Sequence, residues 1–246
     1  LASSIINSAD SRSASYTSRA LELSMKVLDD SEFAPFLTNH DQDRVMSELR
    51  GDVNKAKVAA SLLLTSPGTP FIYYGEEIGM QGRKPDENIR RPMQWSDADS
   101  AGFTTGKPWR EPDADYTQVN VAAQTNDPTS LLAHYRALIQ LRNAHPALRV
   151  GNYLTMQTDA DRLFASLRIR EEETVLVLIN TGDENISNFT LKANETGLAE
   201  GSYLLTSLFG PSLNLELSAN DQGSFDLKSD VEIPANQTII LELKLK

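Results

Sequence analysis

Cysteine is absent from this chain of 246 residues. That excludes thiol nucleophiles, thiolate-held metals and disulfides, and leaves the redox compartment open. No apolar run approaches the roughly 18 residues that a membrane span needs, and the opening "LASSIINSAD" has neither the basic nor the apolar segment of a signal peptide. A soluble chain with no membrane partner is therefore expected, and its localisation stays unknown. Positive charge is scarce as well: 23 Lys and Arg stand against 34 Asp and Glu, a net charge of −11 with pI near 4.8. A phosphate backbone would be repelled, so no nucleic-acid partner is expected. Tryptophan occurs only twice, and residues 151–246 contain none and just Tyr153 and Tyr203. Position 1 is Leu1 rather than methionine, in a Ser-rich stretch read as a loop. We take this as the mark of a processed or truncated product.

What is present is enough for a sizeable core: 40% apolar residues at a mean hydropathy of −0.36. Tyr16, Ala20, Leu23 and Val27 recur at helical spacing and predict an amphipathic helix over about 16–29, ending at the Asp29–Asp30 pair. "APFLTN" reads as a buried strand. "NKAKVAASLLLT", from Asn54, is a helix apolar on nearly every side that other structure must cover, and "SPGTP" stops it. "FIYYG", Phe71–Gly75, reads as a second buried strand. Helix and strand alternate here with short connections, the pattern of parallel α/β architecture. Residues 80–127 carry no sustained period. Asp127 and Pro128 supply a cap and a first-turn proline for a further helix that runs to Pro146.

After Gly151 short alternating runs such as "RLFASLRIR", "ETVLVLIN" and "QTIILELKL" alternate with turn signals, predicting an antiparallel β-sandwich over 151–246 packed against the helix of about 128–144. Acid outnumbers base more strongly in this part, which supports a boundary near 150.

The stretch "FLTNHDQDR", Phe36–Arg44, places Asn39, His40, Asp41 and Arg44 where a strand emerges at a sheet end, a setting for a site that binds hydroxyls. Taken alone, such a run is more often a turn or helix cap than a catalytic site. Adjacent Glu76 and Glu77 would point to opposite faces of an extended chain, so they make a poor acid and nucleophile pair and are assigned a structural role. His134 and His145 are read as surface or cap residues. Four Asn-x-Ser/Thr triplets match the glycosylation pattern, which is common by chance.

Four motifs in order, "FLTNHDQDR", "LLLTSPGTPFIYYGEEIGM", "RRPMQW" and "AGFTTGKPW", closely resemble glycoside hydrolase family 13, the α-amylase and α-glucosidase family. The resemblance runs through most of residues 16–150. It implies α/β plus all-β architecture: the C-terminal part of a (β/α)8 catalytic barrel over 1–150, then the sandwich over 151–246. It further implies that Asp41 stabilises the transition state of a retaining α-glucan hydrolase by gripping sugar hydroxyls, and that His40 donates to the same sugar. Asn39 would orient its neighbours, and Arg44 would hold a carboxylate or a hydroxyl. Arg91, Gln94 and Trp95 would line the aglycone side, although a packed Met-Gln-Trp turn accounts for them equally well.

The family's nucleophilic Asp and acid Glu belong to motifs that do not occur here. A whole barrel runs to about 250 residues, against about 150 before the sandwich, so the isolated chain is expected to be inactive. Its expected partners are an α-glucan oligosaccharide and either the N-terminal portion of the enzyme or a second copy. No cofactor or metal is expected in this chain, and calcium, where such enzymes bind it, would sit in the N-terminal part. The competing hypothesis is a non-catalytic module, but a sandwich with no Trp offers few stacking platforms and reads as a brace.

Overall fold

The computed structural model describes residues 1–28 and 33–246. Among the described residues eight short to medium α-helices come first: α1 (Ala2–Ser11), α2 (Ser15–Ser24), α3 (Val45–Glu48), α4 (Val53–Thr65), α5 (Asp86–Ile89), α6 (Val121–Thr125), α7 (Leu131–Ala144) and α8 (Pro146–Val150).

α1 corrects the expectation of a Ser-rich loop. Ile5 and Ala9, one helical turn apart, are both fully buried, and Ser8 beside them accepts from the Thr17 amide at 3.0 Å and bonds the Thr17 hydroxyl at 2.8 Å. Ser8, one of the serines that argue for a loop, is the small buried residue on which α2 packs. α2 is also turned from its expected face. Thr17 and Leu21 are buried, whereas Tyr16, Leu23 and Val27 are exposed, Val27 at 82%. Both faces carry apolar residues, and the contact with Ser8 selects the one that packs. The expected end at Asp29–Asp30 lies outside the described residues.

α4 is capped by Asp52, whose carboxylate accepts from the Asn54 and Lys55 amides, leaving two fewer free donors in the first turn. Every residue from Val58 to Thr65 is buried, as a helix apolar all round requires. It shares one core with Ile5 of α1 and Leu131, Tyr135 and Leu138 of α7, and with Val175, Val177 and Ile240 from the sheet described below.

The two expected buried strands are a correction. Phe36 and Phe71 form one isolated parallel bridge, supported by bonds from Thr69 N to Phe33 O and from Phe71 N to Pro35 O. Leu37 and Thr38 are buried, but Phe71 is 60% exposed and Ile72 37%. A strand is stabilised by neighbours on both edges, and among the described residues these two segments have only each other. The helix after 127 starts later than expected, at Leu131, with Ser130 as its cap. Asp127 instead accepts from the amide and hydroxyl of Thr129. The helix ends as expected, at Ala144, with His145 extended just before Pro146, and Pro146 in turn opens α8 at a first-turn position where its missing N–H costs no bond.

Nine antiparallel strands follow: β1 (Asn152–Thr155), β2 (Gln157–Thr158), β3 (Leu163–Arg170), β4 (Glu173–Asn180), β5 (Phe189–Ala193), β6 (Gly201–Phe209), β7 (Leu217–Ala219), β8 (Phe225–Ser229) and β9 (Thr238–Leu245). They form a six-stranded sheet in the order β1-β3-β4-β9-β6-β7 and a three-stranded sheet, β2-β5-β8. Strand periodicity divides the larger sheet's side chains between two cores. Leu176, Leu178, Ile239 and Leu241 meet Phe189, Leu191 and Phe225 of the smaller sheet. Val175, Val177 and Ile240 face the helices. The larger sheet thus packs mainly on α4 and α8, with Thr238 donating to Ser61 of α4 at 2.7 Å, and it meets α7 at the ring contact of His134 with Phe209.

His134 is not a surface residue. Its Nε2 lies 2.9 Å from the Ser61 hydroxyl and 3.1 Å from the Lys57 carbonyl, and burial, with nearby Lys57, pushes its pKa down to about 4. His145 pairs with Glu173 at 2.7 Å, joining α8's start to β4. No helix among the described residues is long and apolar enough to cross a membrane.

Candidate active site

Asn39 opens a tight turn. Its side-chain oxygen accepts from the Asp41 amide at 2.9 Å, and its carbonyl from the Gln42 amide at 3.2 Å. A short amide side chain bonding the backbone two residues on is what makes Asn a turn former. The turn lifts His40 and Asp41 off the buried Leu37–Thr38 segment. Both side chains stand about two-thirds exposed, with His40 Nε2 3.4 Å from Asp41 Oδ2.

Asp41 is exposed without being loose. Arg90, at the end of α5, donates from Nη2 to Asp41 Oδ1 at 2.9 Å and from Nε to the His40 carbonyl at 2.9 Å, and its Nη2 also reaches Asp86 at 2.6 Å. One guanidinium therefore grips backbone and side chain of the His40–Asp41 pair together. Sequence reasoning missed Arg90. The only signal was the Arg90–Arg91 doublet, from which Arg91 was chosen. Asp86 in turn is held below its ordinary pKa, first by its bond from Lys84, with Arg90's charge adding to it.

The remaining expected contacts lie elsewhere. Arg44 is 1% exposed, a correction to its expected role at a sugar. Its guanidinium stacks over the Tyr73 and Tyr74 rings, 4.7 and 4.8 Å from their centroids, and donates to the Tyr74 carbonyl at 2.7 Å. Packing on two aromatic faces places it beneath the turn. Gln94 is likewise corrected: it is fully buried and donates to Asp115 and to the Val119 carbonyl, bracing the loop beneath Trp95, which is itself 50% exposed. Arg91 is ion-paired with Asp113, both partly buried.

Glu76 and Glu77 lie in a single 3-10 turn, Glu76–Ile78, and not in an extended segment. Gly75 makes that turn: its φ of 84° suits glycine, and a Cβ there would meet the Met80 sulfur at 2.4 Å. Glu76 is 2% exposed and accepts from the Tyr135 hydroxyl at 3.2 Å. Burial pushes its carboxyl up to about 8, against the opposing bond from Tyr135. A carboxyl that holds its proton more tightly folded than unfolded favours the native state at low pH. Its contribution is lost as pH rises from the ordinary value of 4.5 through about 8. Glu76→Gln should flatten that decline and raise stability at pH 8 by on the order of 2 kcal/mol. Thermal melts of parent and variant at pH 5 and pH 8 check it; equal gaps at both pH values would refute it.

Among the described residues no group of three or more His, Cys, Asp or Glu side chains is placed to hold a metal ion. A turn that carries a fixed carboxylate and a histidine, beside exposed aromatic rings, is suited to a ligand with hydroxyls and an apolar face. The chain belongs to the α-amylase family of glycoside hydrolases, family 13: the family's "Alpha amylase, catalytic domain" matches residues 7–151. Alpha-amylase 3 of Dictyoglomus thermophilum is 39% identical over 165 residues, covering 66% of this chain and 33% of that protein. An oligo-1,6-glucosidase of Halalkalibacterium halodurans is 34% identical over 211 residues, covering 70% and 37%. The crystal structure of an α-amylase from H. orenii superposes with a TM-score of 0.77 at 32% identity, over 99% of this chain and 48% of that one. The chain thus spans about a third of these curated relatives.

Proposed function

We propose that this chain is the C-terminal portion of a retaining α-glucan hydrolase, made of the last part of a (β/α)8 barrel and a bracing β-sandwich, and that Asp41 stabilises the transition state. The observation that carries this reading is the pairing of exposure with fixation at Asp41: its carboxylate is open to a ligand while Arg90 and the Asn39 turn set its position. Cleavage through an oxocarbenium-like state gains most from a negative group already aimed at the ring, because no reorganisation is needed as charge develops. His40 adds a donor to the same sugar. The nucleophile and the acid would come from the N-terminal portion, whose strands would cover the exposed Phe71–Ile72 edge.

Two measurements test this. Proton NMR of maltotetraose cleavage by the full-length enzyme should show the α-anomer formed first, and the 246-residue chain should release no sugar; a β-anomer, or activity in the isolated chain, would overturn the assignment. Light scattering of the isolated chain at micromolar concentration should show self-association through the uncovered edge. A monodisperse monomer would count against the missing-strand reading.

A further inference from the structure

Of the chain's three histidines, His134 stands inside the joint between the helices and the larger sheet. Its ring is the point at which α7 meets that sheet, edge-on to Phe209 at the end of β6 with centroids 5.5 Å apart. On the same ring, Nε2 lies 2.9 Å from the Ser61 hydroxyl and 3.1 Å from the Lys57 carbonyl, both of α4. Ser61 in turn accepts from Thr238, the first residue of β9, at 2.7 Å. One imidazole thus connects α7, α4, β6 and β9, elements far apart in sequence.

These contacts suit a neutral ring. A carbonyl only accepts, so the bond to Lys57 puts the ring's hydrogen on Nε2, and a second proton has to go to Nδ1. Among the described residues the ring's hydrogen bonds all run through Nε2. The groups that face it from β9, β6 and α4 are Thr238, Phe209, Ser61 and Lys57, and none of them brings a negative charge. Lys57 brings a positive one and is held in place, its Nζ donating to the Thr129 carbonyl just before α7 at 2.5 Å. Burial first, and Lys57 second, bring the ring's pKa from 6.5 down to about 4.

We propose that His134 is an acid-sensitive latch: neutral, it fastens α7 to α4 and to the larger sheet, and protonated, it loosens the first turns of α7 and the start of β9 while the rest of the sandwich stays folded. The loosening stays local because the sandwich has a second core. Leu176, Leu178, Ile239 and Leu241 meet the smaller sheet on the face away from the helices, and the ring's charge does not enter that packing. The sign follows from linkage. A group that binds its proton less tightly folded than unfolded stabilises the fold above pH 6.5, and that contribution is lost as pH falls through about 4. Glu76 acts in the opposite sense, its contribution being lost on the alkaline side.

NMR of the ring nitrogens in the 246-residue chain reads the latch directly, with His134→Gln identifying the signal. His134 should stay neutral, hydrogen on Nε2, as pH is lowered from 7 to about 5. Glutamine sets an amide N–H near the place of Nε2 and takes up no proton. Between pH 7 and pH 4.5 the unfolding equilibrium constant of the parent, from urea titrations, should therefore rise about 10 to 100-fold more than that of the variant. Hydrogen exchange at pH 4.5 should be at least about tenfold faster in the parent over 131–137 and 236–240, and alike in the two proteins over β5 and β8. The proposal falls if His134 titrates near 6.5, if parent and variant lose stability equally, or if the exchange difference extends to β5 and β8. A glutamine variant that does not fold leaves the titration to decide, because His40→Gln and His145→Gln then identify the His134 signal by elimination.

Discussion

Asp41→Asn in the full-length enzyme should lower kcat and kcat/KM together by about 100 to 1000-fold on maltooligosaccharides, leaving KM and melting temperature nearly unchanged. Folding is spared because the side chain is 64% exposed and packs against little; its partner Arg90 keeps Asp86 and the His40 carbonyl. An amide still accepts one hydroxyl hydrogen, so the ground state is bound almost as before. The negative charge that tightens those bonds as the ring becomes cationic is gone, and that loss falls on the transition state. Steady-state kinetics with a thermal melt as folding control reads both quantities. Turnover within a factor of a few of the parent would make Asp41 a turn residue.

Arg142→Leu should remove about 3–5 kcal/mol of stability and lower the melting temperature by roughly 8–15 °C. Arg142 is 5% exposed and closes the C-terminal end of α4, donating from Nη1 to the Leu64 and Ser66 carbonyls at 2.8 Å each and from Nη2 to the Gly68 carbonyl. The fully buried Arg168 of β3 donates to the next carbonyl, Thr65, at 3.1 Å and to Gly151 at 2.8 Å. Two guanidiniums so satisfy the last carbonyls of a helix whose end is buried, and their charge complements the negative end of its dipole. Burial, with repulsion from Arg168, brings the Arg142 pKa down to about 10, still charged at neutral pH. Leucine fills much of the space but leaves those carbonyls unpaired in the core. Arg142→Lys, able to reach only some of them, should fall between. A leucine variant within 1 kcal/mol of the parent in a denaturant titration would show that the carbonyls find other partners.

The helix that these arginines close illustrates where sequence was enough. "NKAKVAASLLLT" is apolar on nearly every side, and from Val58 onward only burial all round can satisfy it. The alternation in "ETVLVLIN" is equally direct: odd and even positions enter two different cores. "FLTNHDQDR" was legible as a site because a turn-forming Asn, a His and an Asp follow an apolar strand end within a few residues.

Failures came where the deciding contact is distant in sequence. Ser8 reads as a loop residue until Thr17 packs against it. Arg44 lies three residues from Asp41 and reads as its partner, yet the tyrosine pair thirty residues on takes it into the interior. Arg90, 49 residues from Asp41, is the cation that holds it. Local chemistry sets periodicity, turns and motifs, because those depend on neighbours along the chain. By itself the sequence determined the family, the helix that must be covered, the alternating strands and the turn that carries Asp41. Only the tertiary structure decided which of Arg44, Arg90 and Arg91 meets that carboxylate and which aromatic rings stand beside it, because the energy of burying a charge or a ring depends on which surfaces the folded chain brings to it.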